Sequence, residues 1–244
     1  MAETAKILSP GKKVIMPDEN AGCPMAHMIT ARELQKIKNA HPGAMVVCYV
    51  NTTAEIKAMS DICCTSSNAV KVVKSIPEDK EIIFIPDQSL GAYTAKQAAR
   101  KIILWEGYCP AHHRILAEDI YKMKRLHPDA KVVVHPECLE EVINLADAVR
   151  STSGILRYCK ESGAKEFIIG TEIGILYRLK KENPDKQFFP ASRLADCPNM
   201  KLNTLEKILW CLEDEKPEIA LNSEIMDKAR VAIHKMLDLS KALD

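Results

Sequence analysis

At 244 residues the chain can bury an ample core, as one large domain or as several modules sharing surface. Its 34 lysines and arginines balance 33 acidic residues, and only 5% of residues are aromatic, which argues against a nucleic-acid groove. No apolar run reaches bilayer length, the opening residues do not read as a secretory signal, and 9 cysteines, Cys63 and Cys64 adjacent, suit reduced cytoplasmic thiols better than disulfides.

Residues 2–8 read as a helix that Pro10 and Gly11 break. Residues 14–16 predict a short buried strand, followed by a loop that delivers Cys23. Residues 29–40 carry Ile29, Leu34 and Ile37 at helical spacing up to the His41-Pro42-Gly43 turn. The apolar run 45–50 has strand length and suits a parallel sheet covered on both faces. Helix is expected over 53–59, strand over 62–64, helix over 68–74 and strand over 82–85. A helix over 90–100 and a strand over 102–104 then lead to Cys109. The same order recurs as far as Cys197. Helices over 205–212 and 222–242 close the chain, the second amphipathic through Ile225, Ala229, Ile233 and Met236.

The order recurs because the sequence does. The stretch HPGAMVVCYVNTTAEIKAMSDICCTSSNAVKVVKS from His41 aligns without a gap on HPDAKVVVHPECLEEVINLADAVRSTSGILRYCKE from His127, an offset of 86 residues. Matches fall at His41/His127, Pro42/Pro128, Val46/Val132, Glu55/Glu141, Asp61/Asp147 and Lys71/Arg157. A looser match joins residues 84–93 to 168–177 with a two-residue gap. Cysteine precedes proline at Cys23, Cys109 and Cys197, where chance predicts about half of one such dipeptide. The expected fold is α/β: repeated αβα three-layer modules with small parallel sheets in a pseudo-threefold arrangement. Residues 1–24 would be the second half of an incomplete first module, 25–109 the second module, 110–197 the third and 198–244 the closing helices. By this phase a full first copy would begin about 60 residues upstream of Met1.

Three cysteine loops meeting near one axis would supply three thiolates, too few to close a four-ligand structural site. They suit a metal centre with an open position, either an iron–sulfur cluster or a catalytic zinc. The competing reading is three apolar core cysteines at equivalent repeat positions. Tyr49-Val50-Asn51 and His135-Pro136-Glu137 fall together at the carboxyl end of a module's first strand, where parallel α/β sheets bind ligands. His135 and Glu137 offer acid–base groups and Tyr49 a proton or hydrogen bond, unless His135 and Tyr49 merely cap strands. Residues 65–68 and 151–154 set hydroxyls before a helix, suited to a carboxylate or phosphate or to plain capping. His112 and His113 follow Cys109, as His27 follows Cys23, closely enough to stand behind a metal or touch substrate. Cys48, Cys63, Cys64, Cys138, Cys159 and Cys211 read as core.

At these residues the chain resembles the quinolinate synthase (NadA-type) family. The matching segments are MAETAKIL, GCPMA, CYVNTTAEIKA, TSSNAV, VVVHPEC, STSGI and ADCPNMK, in the family's order along nearly the whole chain. The resemblance implies three αβα modules around a 4Fe-4S cluster held by Cys23, Cys109 and Cys197, its open iron acting as Lewis acid. It implies condensation of iminoaspartate with dihydroxyacetone phosphate to quinolinate in NAD biosynthesis, with an L-aspartate-oxidising enzyme as supplier of iminoaspartate. Tyr49, His135 and Glu137 match catalytic positions. Tyr49, Val50, Asn51, His112, His135, Pro136 and Glu137 match the substrate-contacting stretch, and Ser66 and Thr152 the hydroxyls that hold carboxylates. Family members carry a further half module upstream, so a polypeptide starting at Met1 is expected to have an open site, weak or absent synthase activity and a solvent-exposed, oxygen-sensitive cluster. The alternative is a non-catalytic cluster-binding remnant, or a subunit completed by another chain. Only Cys197 stands where some members have C-x-x-C-x-x-C, which leaves no redox switch there.

Overall fold

The buried run of Val46, Val47 and Cys48 sets the first sheet, because branched side chains pack well on a pleated surface covered on both faces. In the computed structural model, which describes residues 1–241, that run is strand β1 (Met45–Tyr49). It lies parallel to β2 (Ile62–Cys64) on one side and β3 (Ile82–Ile85) on the other, and β4 (Ile103–Leu104) follows β3, in the order β2-β1-β3-β4. Val47 pairs with Ile62, Val46 with Ile83 and Phe84 with Leu104. Val46, Val47, Ile83 and Phe84 are fully buried, each contributing about 1.5–3 kcal/mol.

The second sheet repeats the first. Strands β5 (Lys131–Val134), β6 (Ala148–Val149), β7 (Glu166–Gly170) and β8 (Gln187–Pro190) are all parallel, in the order β6-β5-β7-β8. Val133 pairs with Ala148 as Val47 pairs with Ile62, at the offset read from the sequence. Val132 pairs with Ile168 as Val46 pairs with Ile83, so the later gap is one residue, not the two that the looser match suggests. The matched residues have matched work. Asp61 Oδ2 accepts the Val46 amide at 2.8 Å, and Asp147 Oδ2 accepts the Val132 amide at 2.8 Å. His41 and His127 each end a helix and face Glu81 and Glu166, respectively.

The described residues divide into two compact units, one of residues 1–107 with the segment from Pro198, the other Tyr108–Cys197. In the first unit, helix Ala31–Ala40 opens with a capping box between Thr30 and Glu33, and Thr53 caps Ala54–Ala58. Asp87 caps Gln88–Ala98, which therefore starts before the expected residue 90, and left-handed Ala99 ends it. The closing helix Ser223–Lys241 buries Ala229, Ala232, Ile233 and Met236 and packs on Ala54–Ala58 and β2. Ala242, its expected last residue, lies outside the described residues.

One local expectation needs correction. Residues 14–16 are half-buried and form one antiparallel bridge, Ile15 to Glu218, rather than a buried strand. Their partner, more than 200 positions away, has no local signature. The cysteine loops, moreover, start short helices: Pro24–His27, Pro110–His113 and Pro198–Lys201. A residue before proline is driven to extended backbone, and proline suits a helix's first position. Cys23 (ψ 120°) and Cys109 (ψ 113°) are accordingly extended residues immediately before the turn.

Candidate active site

In the second unit the chain leaves β5 through His135, Pro136 and Glu137, and leaves β7 through Gly170, Thr171 and Glu172. Gly170 allows the two exits to come close. A Cβ on it would stand 2.6 Å from Val134 Cγ1. The His135 amide donates to Gly170 O at 2.9 Å, Cys138 N donates to His135 O at 3.0 Å, and Cys138 Sγ donates to Gly170 O at 3.3 Å. His135 and Glu137 are thus held on a tight turn at the carboxyl edge of the sheet, both 3% exposed.

His112 reaches the same point from the short helix after Cys109. Its Nδ1 lies 2.8 Å from Glu137 Oε2, its Nε2 lies 2.8 Å from Thr171 Oγ1, and its ring stacks on His135 at 4.7 Å. The Glu137 amide donates to His135 Nδ1 at 3.3 Å. That nitrogen is therefore an acceptor, and the neutral ring carries its proton on Nε2. Burial drives the His135 pKa down to about 4; Glu137 opposes this and His112 adds to it. His135 is neutral at pH 7. Neutral His135 Nδ1 and Glu137 Oε2, 3.7 Å apart, are both acceptors, so of the two rings it is His112 that brings a nitrogen close to the carboxylate, at 2.8 Å. His113, stacked on Tyr108 at 4.6 Å, also has its pKa lowered, by burial and then by His112.

Cys109 Sγ, a His112 ring nitrogen and a Glu137 carboxylate oxygen lie within 4.8 Å of one another, a donor set able to hold a metal ion. Cys197 ends the same unit. Its amide donates to Glu172 Oε1 at 3.4 Å, while Glu172 Oε2 accepts the Gly174 amide at 2.7 Å. Thr152 is exposed at the start of helix Thr152–Glu161, and Ser151 caps that helix by accepting from Gly154. Arg150 N donates to Val134 O, which sets this segment at the same sheet edge as His135.

The first unit has a matching edge. Tyr49, ending β1, and Val50 are buried, Asn51 is half-buried, and Val50 N donates to Cys64 O at 2.9 Å. Ser66, two residues beyond Cys64, is half-buried in a turn where Asn68 Oδ1 accepts from Thr65 N at 2.6 Å. Beneath the β1 exit lies Lys57, fully buried, its Nζ donating to Thr52 O at 2.5 Å while Thr52 Oγ1 donates to Tyr49 O. Cys23 is exposed beside Gly22, whose carbonyl accepts from Asn199 Nδ2 at 2.8 Å.

The structure thus brings together His112, His135, Glu137 and Cys109, and adds Thr171. Sequence reasoning passed over Thr171, although a hydroxyl directly after a buried strand of a parallel sheet carries the signal that picked out Tyr49 and His135. Lys57 had no such signal, since a lysine in an amphipathic helix ordinarily faces water.

The family model described as quinolinate synthetase A protein matches residues 1–238. A quinolinate synthase of Dehalococcoides mccartyi strain CBDB1 is 54% identical over 237 residues, 97% of this chain and 78% of that protein. That of Geotalea uraniireducens is 53% identical over 241 residues, covering 99% and 79%. That of Methanoregula boonei is 55% identical over 239 residues, covering 98% and 79%.

Proposed function

The chain belongs to the quinolinate synthetase A family of enzymes, and from that premise we propose that it condenses iminoaspartate with dihydroxyacetone phosphate. Quinolinate forms with loss of phosphate and two waters, as a step of NAD biosynthesis in the cytoplasm. The iminoaspartate would come from an L-aspartate-oxidising enzyme. Among the described residues no helix is long and apolar enough to cross a membrane.

The observation that carries this reading is the buried His112–Glu137 pair beside neutral His135, at the carboxyl edge of a parallel sheet. Glu137 and His112 accept and hold the proton that leaves the substrate carbon. His135, with hydrogen on Nε2, donates to a substrate oxygen without becoming charged. Tyr49 and Asn51 serve the equivalent edge of the first unit, with Val50 and Pro136 shaping the backbone between the polar groups. Ser66 and Thr152, each just past the second strand of a sheet, suit substrate carboxylates.

The donor chemistry fits a 4Fe-4S cluster on Cys23, Cys109 and Cys197. Of the nine cysteines, all among the described residues, the other six are buried, whereas Cys23 is exposed and Cys109 and Cys197 are half-exposed. Three protein thiolates leave one iron open, and the bound group supplies a Lewis acid for substrate oxygen. The test is anaerobic reconstitution with iron and sulfide, followed by an assay for quinolinate with iminoaspartate generated in place. Broad visible absorbance together with quinolinate formation supports the proposal. A colourless chain that holds one zinc on Cys109, His112 and Glu137 and makes no quinolinate overturns it.

A further inference from the structure

The chain meets its cysteine loops in the same way after the third strand of each sheet. Beyond β3 the Gln88 amide donates to Gly107 O at 2.8 Å, and beyond β7 the Ile173 amide donates to Ala195 O at 2.9 Å. Gly107 and Ala195 each stand two residues before a cysteine, Cys109 and Cys197 respectively. The strand register makes Gln88 and Ile173 equivalent, and with them the acids Asp87 and Glu172. Both acids start a helix. Asp87 Oδ1 accepts the Leu90 amide and Glu172 Oε2 the Gly174 amide, each at 2.7 Å. Glu172 is longer by a methylene and reaches further: its Oε1 accepts the Cys197 amide at 3.4 Å.

We propose that Glu172 is a positioning residue for the metal centre, which fixes the loop bearing the Cys197 thiolate by accepting that residue's amide. A ligand loop already in place spares the ordering entropy that metal binding would otherwise cost. The loop's ion pair, Asp196 Oδ1 with Arg114 Nη1 at 3.6 Å, lies open to water and adds little. Glu172 is half-buried and bonds the cysteine's own backbone. The consequence for metal rests on the cluster reading above; the hydrogen bond is a property of the folded chain alone.

The experiment reads the two separately. Glu172→Asp keeps the bond to the Gly174 amide, two residues on, which aspartate makes readily, and withdraws the reach to Cys197. Glu172→Ala removes both. Metal-free protein with nitrogen-15-labelled cysteine is observed by NMR, with Cys197→Ser identifying the Cys197 signal. The Cys197 amide should exchange with solvent about tenfold faster in both variants than in wild type. After anaerobic reconstitution, both should give up iron at about one tenth of the chelator concentration that wild type withstands. Glu172→Asp should do so with its midpoint of urea unfolding unchanged. Unchanged exchange in Glu172→Ala, or iron held as firmly as in wild type by both variants, overturns the proposal. Full wild-type behaviour of Glu172→Asp also overturns it, by leaving Glu172 only the start of a helix to hold. If wild type itself takes up no iron, the cluster reading fails, and the exchange rates still decide whether Glu172 holds the loop.

Discussion

His112 and Glu137 form a buried contact of 2.8 Å between a ring nitrogen and a carboxylate oxygen, with side chains 8% and 4% exposed. With so little water at either side chain, truncating one removes a close polar neighbour that solvent cannot readily replace.

Glu137→Gln keeps the shape and removes the proton acceptor. Turnover should fall about 100-fold to 10,000-fold, the usual worth of a positioned acid–base group. Steady-state assay beside far-ultraviolet circular dichroism decides it. Unchanged turnover in a folded variant removes Glu137 from the chemistry.

Protonation of His135 gives stability a pH dependence of known sign. Its folded pKa of about 4 lies below the ordinary 6.5, so between these values the unfolded chain binds the extra proton. Stability is therefore complete above about pH 6.5 and declines as pH falls toward 4. The loss should reach about 2 kcal/mol at pH 5. Urea titrations of wild type and His135→Asn at pH 7.5 and pH 5 measure it, and the variant should lack this share of the decline.

Asp61 and Asp147 each satisfy a first-strand amide, of Val46 and Val132 respectively. Asp61→Ala and Asp147→Ala should each cost about 1–3 kcal/mol, the penalty of an unsatisfied buried donor. Midpoints of urea unfolding test this; no change in either variant would show that another acceptor takes over.

The cysteines should separate into two classes. Serine at Cys23, Cys109 or Cys197 should abolish visible absorbance and bound iron while the chain still folds. Serine at Cys63 or Cys159, both buried, should keep the chromophore and lower stability by about 1–3 kcal/mol. Iron analysis and absorbance after anaerobic reconstitution separate the classes.

Much of the fold was legible because a repeat states its pattern twice. The runs at Val46 and Val132 predicted twin parallel sheets, and the aspartates at matched positions turn out to make the same hydrogen bond in both. The cysteines that precede proline were separable from the six that do not, and burial divides them the same way. What escaped were relations between distant stretches. The bridge of Ile15 to Glu218 has no local signature, and the burial of Lys57 depends on the carbonyl of Thr52 lying within its reach. Thr171 gained meaning only once β7 placed it beside a ring contributed 59 residues earlier.

In both sheets the aspartate stands 15 residues after the amide it holds, inside the duplicated stretch. Copying that stretch transmits donor and acceptor together, so a daughter module inherits its fastening ready-made and owes nothing to its neighbour for it. Residues at the strand ends could then diverge between copies, as Tyr49 and His135 have, while the latch that closes each module stayed the same.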